Sequence, residues 1–409
     1  MNRTLFEAGT RAAVALFALF ALSAVAGARQ LHQGFEEPAR LVVKSEVLGE
    51  ERTALVRVPP GYAAGRERYP VLYMTDGDAH ILHTTATVSF LAERGHLPEM
   101  IVVAITNTNR TRDLSPTRTE AAPAGGGADK FLKFIETELI PQVEAKYRTH
   151  PYRIFAGHSL GGLFAVHALL TRPELFNAYI AVSPSMHWGD FAEVKRAEEF
   201  FRDRKELWRT LYVTLGHEGD LITRGYERLR DVLSKQKVKG FEWEAAQMAD
   251  EDHGSVVLRS HYAGLRKVFA GWRVPFDPNT GAVAGGLKGV DEHYAKLSKR
   301  LGYTVATPEG LINQMGYGLM FQKKMDEAIA VFKANIERYP ESANVYDSLA
   351  EAYEKSGQIE LALANYEKAA ALGKRNGDAN TAIYQANFER ASELAKKAQA
   401  KPNGSSGNK

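Results

Sequence analysis

An α/β fold followed by a small all-α module is the fold class that this 409-residue sequence predicts. Three observations predict it. From about residue 41 to 274, short β-branched apolar runs alternate with longer amphipathic stretches, the pattern of a mostly parallel sheet covered by helices. A glycine-flanked serine, in Gly157-His158-Ser159-Leu160-Gly161, stands between one such run and an apolar helical stretch. Beyond residue 290 the composition turns to Ala, Glu, Lys and Leu, and a pattern of large and small residues recurs at the spacing from Ile312 to Tyr346.

Taken in order, the chain opens on a segment that reads as a signal peptide over residues 1–28. Arg3 and Arg11 precede an apolar stretch over residues 12–25, and Ala24-Val25-Ala26 and Ala26-Gly27-Ala28 each fit a small-residue cleavage site. The mature protein is then expected to be periplasmic or secreted. The alternative is an uncleaved anchor, the only route to the membrane that the sequence offers. Residues 12–28 are shorter than the roughly 20 residues that a spanning helix needs.

Residues 29–275 form the expected α/β domain. Strands are predicted over residues 53–58, 71–75, 101–105, 153–156, 178–183, 211–215 and 241–246, several with little polar interruption, as when helices cover both faces. Helices are predicted over 130–147, 163–169 and 256–269. The Gly- and Ala-rich residues 121–128 read as a flexible surface loop. No phosphate-binding pattern surrounds Gly127. The amphipathic residues 191–208 read equally as a lid or as a covering helix.

Residues 276–290, with several Gly and Pro, read as a linker, and residues 291–400 as a tetratricopeptide-repeat domain. Ile312, Met315, Gly316, Leu319, Ala328 and Phe332 align with Tyr346, Leu349, Ala350, Tyr353, Ala362 and Tyr366. In such repeats small residues let paired helices approach while large ones fill the groove between them. Residues 401–409 read as a disordered tail.

Composition excludes several classes of function. With 52 Lys+Arg against 49 Asp+Glu, the net charge of +3 lacks the basic field of a nucleic-acid binder. The absence of cysteine removes disulfide scaffolds, thiolate metal sites, iron–sulfur clusters and cysteine nucleophiles. Covalent chemistry must then use a hydroxyl, an amine or a carboxylate.

The hydroxyl is Ser159. A GxSxG sequence between a strand and a helix forms a nucleophile elbow: the serine sits on a strained turn above the sheet, and small residues two before and two after keep the backbones from clashing. The flanks match, with residues 153–156 as strand and 163–170 as helix. A serine nucleophile needs a base, and the base needs an orienting carboxylate. In α/β-hydrolases these follow in the order Ser, acid, His, on loops after later strands. Of the twelve histidines, His253 alone falls in a loop after the last strand and before the closing helix. His261 lies inside that helix, and His217 precedes the acid in the wrong loop. Glu218 is the first candidate for the acid and Asp220 the second.

Acyl transfer also needs two backbone N–H groups aimed at the developing oxyanion. One is expected from Leu160, directly after the nucleophile. The other is expected from the loop Asp76-Gly77-Asp78-Ala79-His80, where the N–H of Asp78 is favoured. No HExxH, Ca²⁺-loop pattern or His pair accompanies Asp76 and Asp78, so neither a metal nor any other cofactor is expected.

Five ordered blocks carry a resemblance to a known family: YPVLYMTDGDAH (69–80), RTRDLSPT (110–117), the run from FLKFIETELIPQVEAKYRTHPYR to IFAGHSLGGLFAVHALL (131–170), SPSMHW (183–188) and EDHGSV (251–256). Over about residues 38–272 the chain resembles the putative-esterase family, which includes enterochelin and salmochelin esterases, S-formylglutathione hydrolase, feruloyl esterases and mycolyltransferases. The resemblance implies Ser159 as nucleophile and His253 as general base. Within the family the acid position varies and some siderophore-cleaving members look like Ser–His dyads, so Glu218, Asp220 and a dyad all stay open.

The function expected is an exported serine ester hydrolase working through an acyl-enzyme on a small-molecule carboxylic ester. A siderophore ester is the first guess at the substrate. Arg110, Arg112, His187 and Trp188 are expected at the rim, where the arginines either meet an anionic or catecholate substrate or structure their loop. The alternatives are an acyltransferase of the same fold and a non-catalytic scaffold. Through the repeats the chain could bind a protein partner or a second copy of itself.

Overall fold

The computed structural model describes residues 37–63, 66–277 and 283–399. The signal-peptide reading of residues 1–28 and the tail at 401–409 lie outside the described residues.

One eight-stranded sheet organises the first part of the chain. Its strands are β1 (Ala39–Ser45), β2 (Glu50–Arg57), β3 (Tyr69–Met74), β4 (Ile101–Ile105), β5 (Thr149–His158), β6 (Ala178–Val182), β7 (Glu206–Leu215) and β8 (Lys239–Gln247). The spatial order is β1-β2-β4-β3-β5-β6-β7-β8. β1, β2 and β4 pair antiparallel, and every pairing from β4 onward is parallel. β3, β4 and β6 are buried at every position, which is why they read as uninterrupted apolar runs. β1 was absent from the sequence reading. Its ARLVVKS alternates exposed and buried positions, with Val42 exposed and Ser45 buried, so its only apolar run is the three residues 41–43.

Helices cover both faces. On one lie α3 (Ala128–Phe134), a π-helical turn (Ile135–Leu139), α4 (Ile140–Lys146), α5 (Leu160–Thr171), α6 (Trp188–Arg202) and α7 (Asp220–Lys235), packed on Tyr73, Phe155 and Tyr179. On the other lie α1 (Gly77–Glu93) and α8 (Val256–Val268), packed on Leu72, Ile154 and Ile180. The short α2 (Arg110–Leu114) follows β4.

Three local readings change. Residues 191–208 divide between α6 and the start of β7, and Val194, Ala197 and Phe201 of α6 are buried in the core, so this is a covering helix. The 121–128 segment is held to α2 and its C-terminal flank: Gly127 N–H donates to the Arg112 carbonyl at 2.9 Å and Gly126 N–H to that of Ser115 at 3.1 Å. The loop expected over residues 76–80 is already helical from Gly77.

Six helices follow, α9 (Gly286–Leu301), α10 (Glu309–Phe321), α11 (Met325–Arg338), α12 (Ala343–Lys355), α13 (Ile359–Asn376) and α14 (Thr381–Gln399). α9 packs on the sheet domain. Val290, Tyr294, Leu297 and Leu301 share one core with Val256, Leu265 and Phe269 of the α8 region, and the Arg300 guanidinium donates to the carbonyls of Val268 and Ala270. α10 to α13 form two successive pairs with a second core around Phe332, Ala350, Tyr353, Ala362 and Tyr366. A Cβ on Gly316 would run into the Phe332 ring. This small-against-large packing is compatible with tetratricopeptide-like repeats.

Candidate active site

The site forms at the C-terminal ends of β3, β5, β6, β7 and β8. Between β5 and α5, Ser159 has φ 61° and ψ −115°, a sparsely populated conformation that persists only when its surroundings enforce it. They do. A Cβ on Gly157 would run into the Gly161 carbonyl oxygen, and one on Gly161 into Thr75 Oγ1. Ser159 N–H donates to the Val182 carbonyl at 2.9 Å.

His253 lies between β8 and α8. Its Nδ1 is 2.8 Å from both carboxylate oxygens of Glu218, in the loop after β7. The Glu218 side chain is only 3% exposed, against 40% for that of His253. An ionised carboxylate can only accept, so Nδ1 carries the proton and Nε2 presents a lone pair. The two loops are tied by His217 N–H donating to the Glu251 carbonyl at 2.6 Å. Asp252 accepts from the N–H groups of Gly254 and Ser255, both at 2.8 Å, fixing the turn that carries the imidazole. Asp220 instead opens α7, and among the described residues it makes no bond to His253.

The N-termini of α5 and α1 lie close together: a Cβ on Gly161 would reach Thr75 Oγ1 and Asp76 Oδ2. Leu160 is the first residue of α5, and Asp78 the second of α1. The Asp76 carbonyl accepts from Ala79 and His80 at 3.0 and 3.1 Å, leaving the N–H groups of Gly77 and Asp78 without intrahelical partners. Such groups, with the helix dipole behind them, suit a developing oxyanion.

Asp76 is weighed in the sequence only as a metal ligand, and its pairing with Arg110 is missed there. It sits at φ 55°, immediately before α1, and its carboxylate accepts from Arg110 Nε and Nη2 at 2.6 and 3.1 Å and from Asn107 at 2.7 Å. Burial pushes this carboxyl up, but the Arg110 and Asn107 bonds hold it below the usual carboxylate range. Arg110 also donates to the His158 carbonyl at 3.0 Å. Its guanidinium therefore braces the turn before α1 against the elbow. Arg112 faces away, toward Glu50 and Asp113.

His187 and Trp188 follow β6 and are half-buried. Trp188 Nε1 donates to the Thr117 carbonyl at 2.9 Å, and burial lowers the His187 pKa. Gly189, Asp190 and Phe191 after them are all left-handed, with the Arg228 guanidinium 4.0 Å from the Phe191 ring centroid.

Behind His253 stands a row of imidazoles. His158 lies 4.5 Å from it, centroid to centroid, and His80 lies 5.7 Å from His158. His80 Nδ1 is 3.1 Å from His83 Nε2, and the His83 ring stacks on that of His261. Burial pushes His158 down to about 3 and His83 to about 4, and it lowers His80 and His261 as well. Among the described residues, no group of three His, Asp or Glu is arranged to hold a metal ion. Nothing in the sequence pointed to this row, because its members come from three separate segments.

Ser185 was also missed. Its Oγ lies 3.4 Å from Ser159 Oγ, the only hydrogen bond of that hydroxyl among the described residues. The Ser159–His253 bond is thus unmade here, and such bonds often tighten only once substrate is bound.

A family model described as "Putative esterase" matches residues 45–238. The chain is 32% identical over 246 residues to the siderophore triacetylfusarinine C esterase of Aspergillus fumigatus, covering 51% of this chain and 84% of that protein. It is 32% identical over 221 residues to the ferri-bacillibactin esterase BesA of Bacillus subtilis, covering 46% of this chain and 75% of that one. The solved structure of an IroE-like serine hydrolase from Shewanella oneidensis superposes with a TM-score of 0.62 at 27% identity, over 74% of this chain and all of that one.

Proposed function

Because the chain belongs to the putative-esterase family of α/β-hydrolases and is a carboxylic ester hydrolase, we propose that it works through an acyl-enzyme on Ser159, with His253 as general base and Glu218 as the orienting acid. The observation that carries this reading is the buried Glu218 carboxylate 2.8 Å from His253 Nδ1, beside a serine in the strained elbow conformation. His253 Nε2 takes the Ser159 proton as Oγ attacks the ester carbonyl. The N–H groups of Leu160 and Asp78 receive the oxyanion. His253 then protonates the leaving alkoxide, and water, deprotonated by the same imidazole, releases the acid. His187 and Trp188 line the approach, while Arg110 acts through Asp76.

The substrate we propose is a siderophore ester. Two relatives that are siderophore esterases support it. The mature enzyme begins near residue 29 and acts in the periplasm or outside the cell, as the apolar stretch over residues 12–25 argues. The helices from residue 309 onward form a repeat module that engages a protein partner or a second copy of the chain, as the pairing of α10 to α13 supports.

The test is mass spectrometry of a cyclic tris-catecholate trilactone incubated with residues 29–409. Linear trimer, dimer and monomer are expected to appear in turn, and none with Ser159→Ala. An enzyme that cleaves p-nitrophenyl esters but leaves the trilactone intact would contradict the substrate assignment.

A further inference from the structure

Ser185 places a second hydroxyl beside that of Ser159. It is 5% exposed, and its N–H donates to the Ser159 carbonyl at 3.1 Å. Its neighbours leave it little freedom. Ser183 is left-handed at φ 39°, and Ser183 Oγ accepts from Gly216 N–H at 3.0 Å, so the 183–185 turn is pinned to the loop that carries Glu218. On the other side α5 presses close: a Cβ on Gly162 would come within 3.0 Å of Pro184 Cα. The turn is rigid, and it aims one buried hydroxyl at Ser159 Oγ.

The direction of that bond follows from the chemistry. During reaction Ser159 gives its proton to His253, and in that arrangement Ser185 is the hydroxyl that donates into a lone pair of Ser159 Oγ. Resting on the acyl-enzyme reading above, we propose that Ser185 is a further catalytic residue, a hydrogen-bond donor to Ser159 Oγ that acts chiefly in deacylation. In that step the water oxygen bonds to the acyl carbon and the carbon–Oγ bond breaks. The electron pair goes to Oγ, and the proton on His253 Nε2 follows it. Ser185 transfers no proton. It stabilises the charge that Oγ gains as it leaves, a charge absent from the neutral ester oxygen of the acyl-enzyme, so its effect falls on the barrier. In acylation the same donor withdraws density from the attacking oxygen, and the two tendencies offset.

Rapid-mixing kinetics with p-nitrophenyl butyrate separate the two steps. For Ser185→Ala the burst of about one p-nitrophenol per active site is expected to keep its rate within about threefold of wild type, while steady-state turnover falls about tenfold. Ser185→Thr, which keeps the hydroxyl, is expected to restore turnover. Equal slowing of burst and steady state, or no slowing of either, overturns the proposal. Should the alanine variant fail to fold, Ser185→Cys keeps the volume with a weaker donor and carries the same expectation. Ser159→Ala distinguishes the failures: turnover that survives it contradicts the acyl-enzyme, whereas an inactive Ser159→Ala beside an unchanged Ser185→Ala contradicts only the role of Ser185.

Discussion

Glu218 and Asp220 stand two residues apart, yet only one can serve His253. Glu218 is buried against Nδ1, whereas Asp220 is exposed at the start of α7. Glu218→Gln can turn its amide nitrogen to Nδ1, favouring the wrong tautomer and withdrawing charge support from the imidazolium. A fall in kcat of about 10²- to 10⁴-fold is expected, with KM little changed. Asp220→Asn is expected to stay within about twofold, as surface charge changes do. Steady-state kinetics of the two variants on one ester decide the assignment, and equal losses would contradict it. Ser159, His253 and Glu218 are candidates in the sequence because each stands in a fixed order relative to strands that the apolar runs mark, and the structure brings the last two into contact. Asp76, Ser185 and the imidazole row could not be read there, since their meaning comes from side chains of different loops meeting in space. Arg110 was read as either a substrate contact or a loop brace, and its bonds to Asp76 and the His158 carbonyl are those of a brace.

At the scale of elements, the elbow depends on two glycines for different reasons. A side chain at position 157 meets the Gly161 backbone, which cannot yield without breaking the first turn of α5, whereas one at 161 meets the movable Thr75 hydroxyl. Both Gly157→Ala and Gly161→Ala are expected to destabilise the protein, by about 1–3 kcal/mol or more. Thr75→Ala is expected to rescue Gly161→Ala in part and Gly157→Ala not at all. Thermal melts of the four proteins check this, and equal rescue of both would contradict the packing described. Five of the seven strands legible in the sequence carry buried runs, β3 to β7, while β1 hid behind its alternation and the α1 start behind a turn-like Asp-Gly-Asp. The linker read at 276–290 runs into α9, which starts at Gly286, because composition carries no record of what a following helix packs against. α9 buries Tyr294 and Leu297 in the core it shares with α8.

Across the whole molecule, the imidazole row joins the site to the α1–α8 face and makes stability depend on pH. Burial lowers His83 to about 4 and His158 to about 3 in the folded protein, from an ordinary value of 6.5. Between those values the unfolded chain binds protons that the folded chain refuses, so the stabilisation is complete above about pH 6.5 and is lost as pH falls toward 4. Asp76, also lowered, adds to the loss at still lower pH. The melting temperature is expected to fall from pH 7 to pH 5, and His83→Gln to flatten that slope; a melting temperature that does not change over this range would contradict neutral burial of the row. The proposed chemistry turns on a single hydroxyl. The measurement that tests it most directly is hydrolysis of p-nitrophenyl butyrate by residues 29–409, beside Ser159→Ala and His253→Ala. A loss of about a thousandfold or more in both variants is expected, and undiminished turnover in Ser159→Ala would contradict Ser159 as the nucleophile.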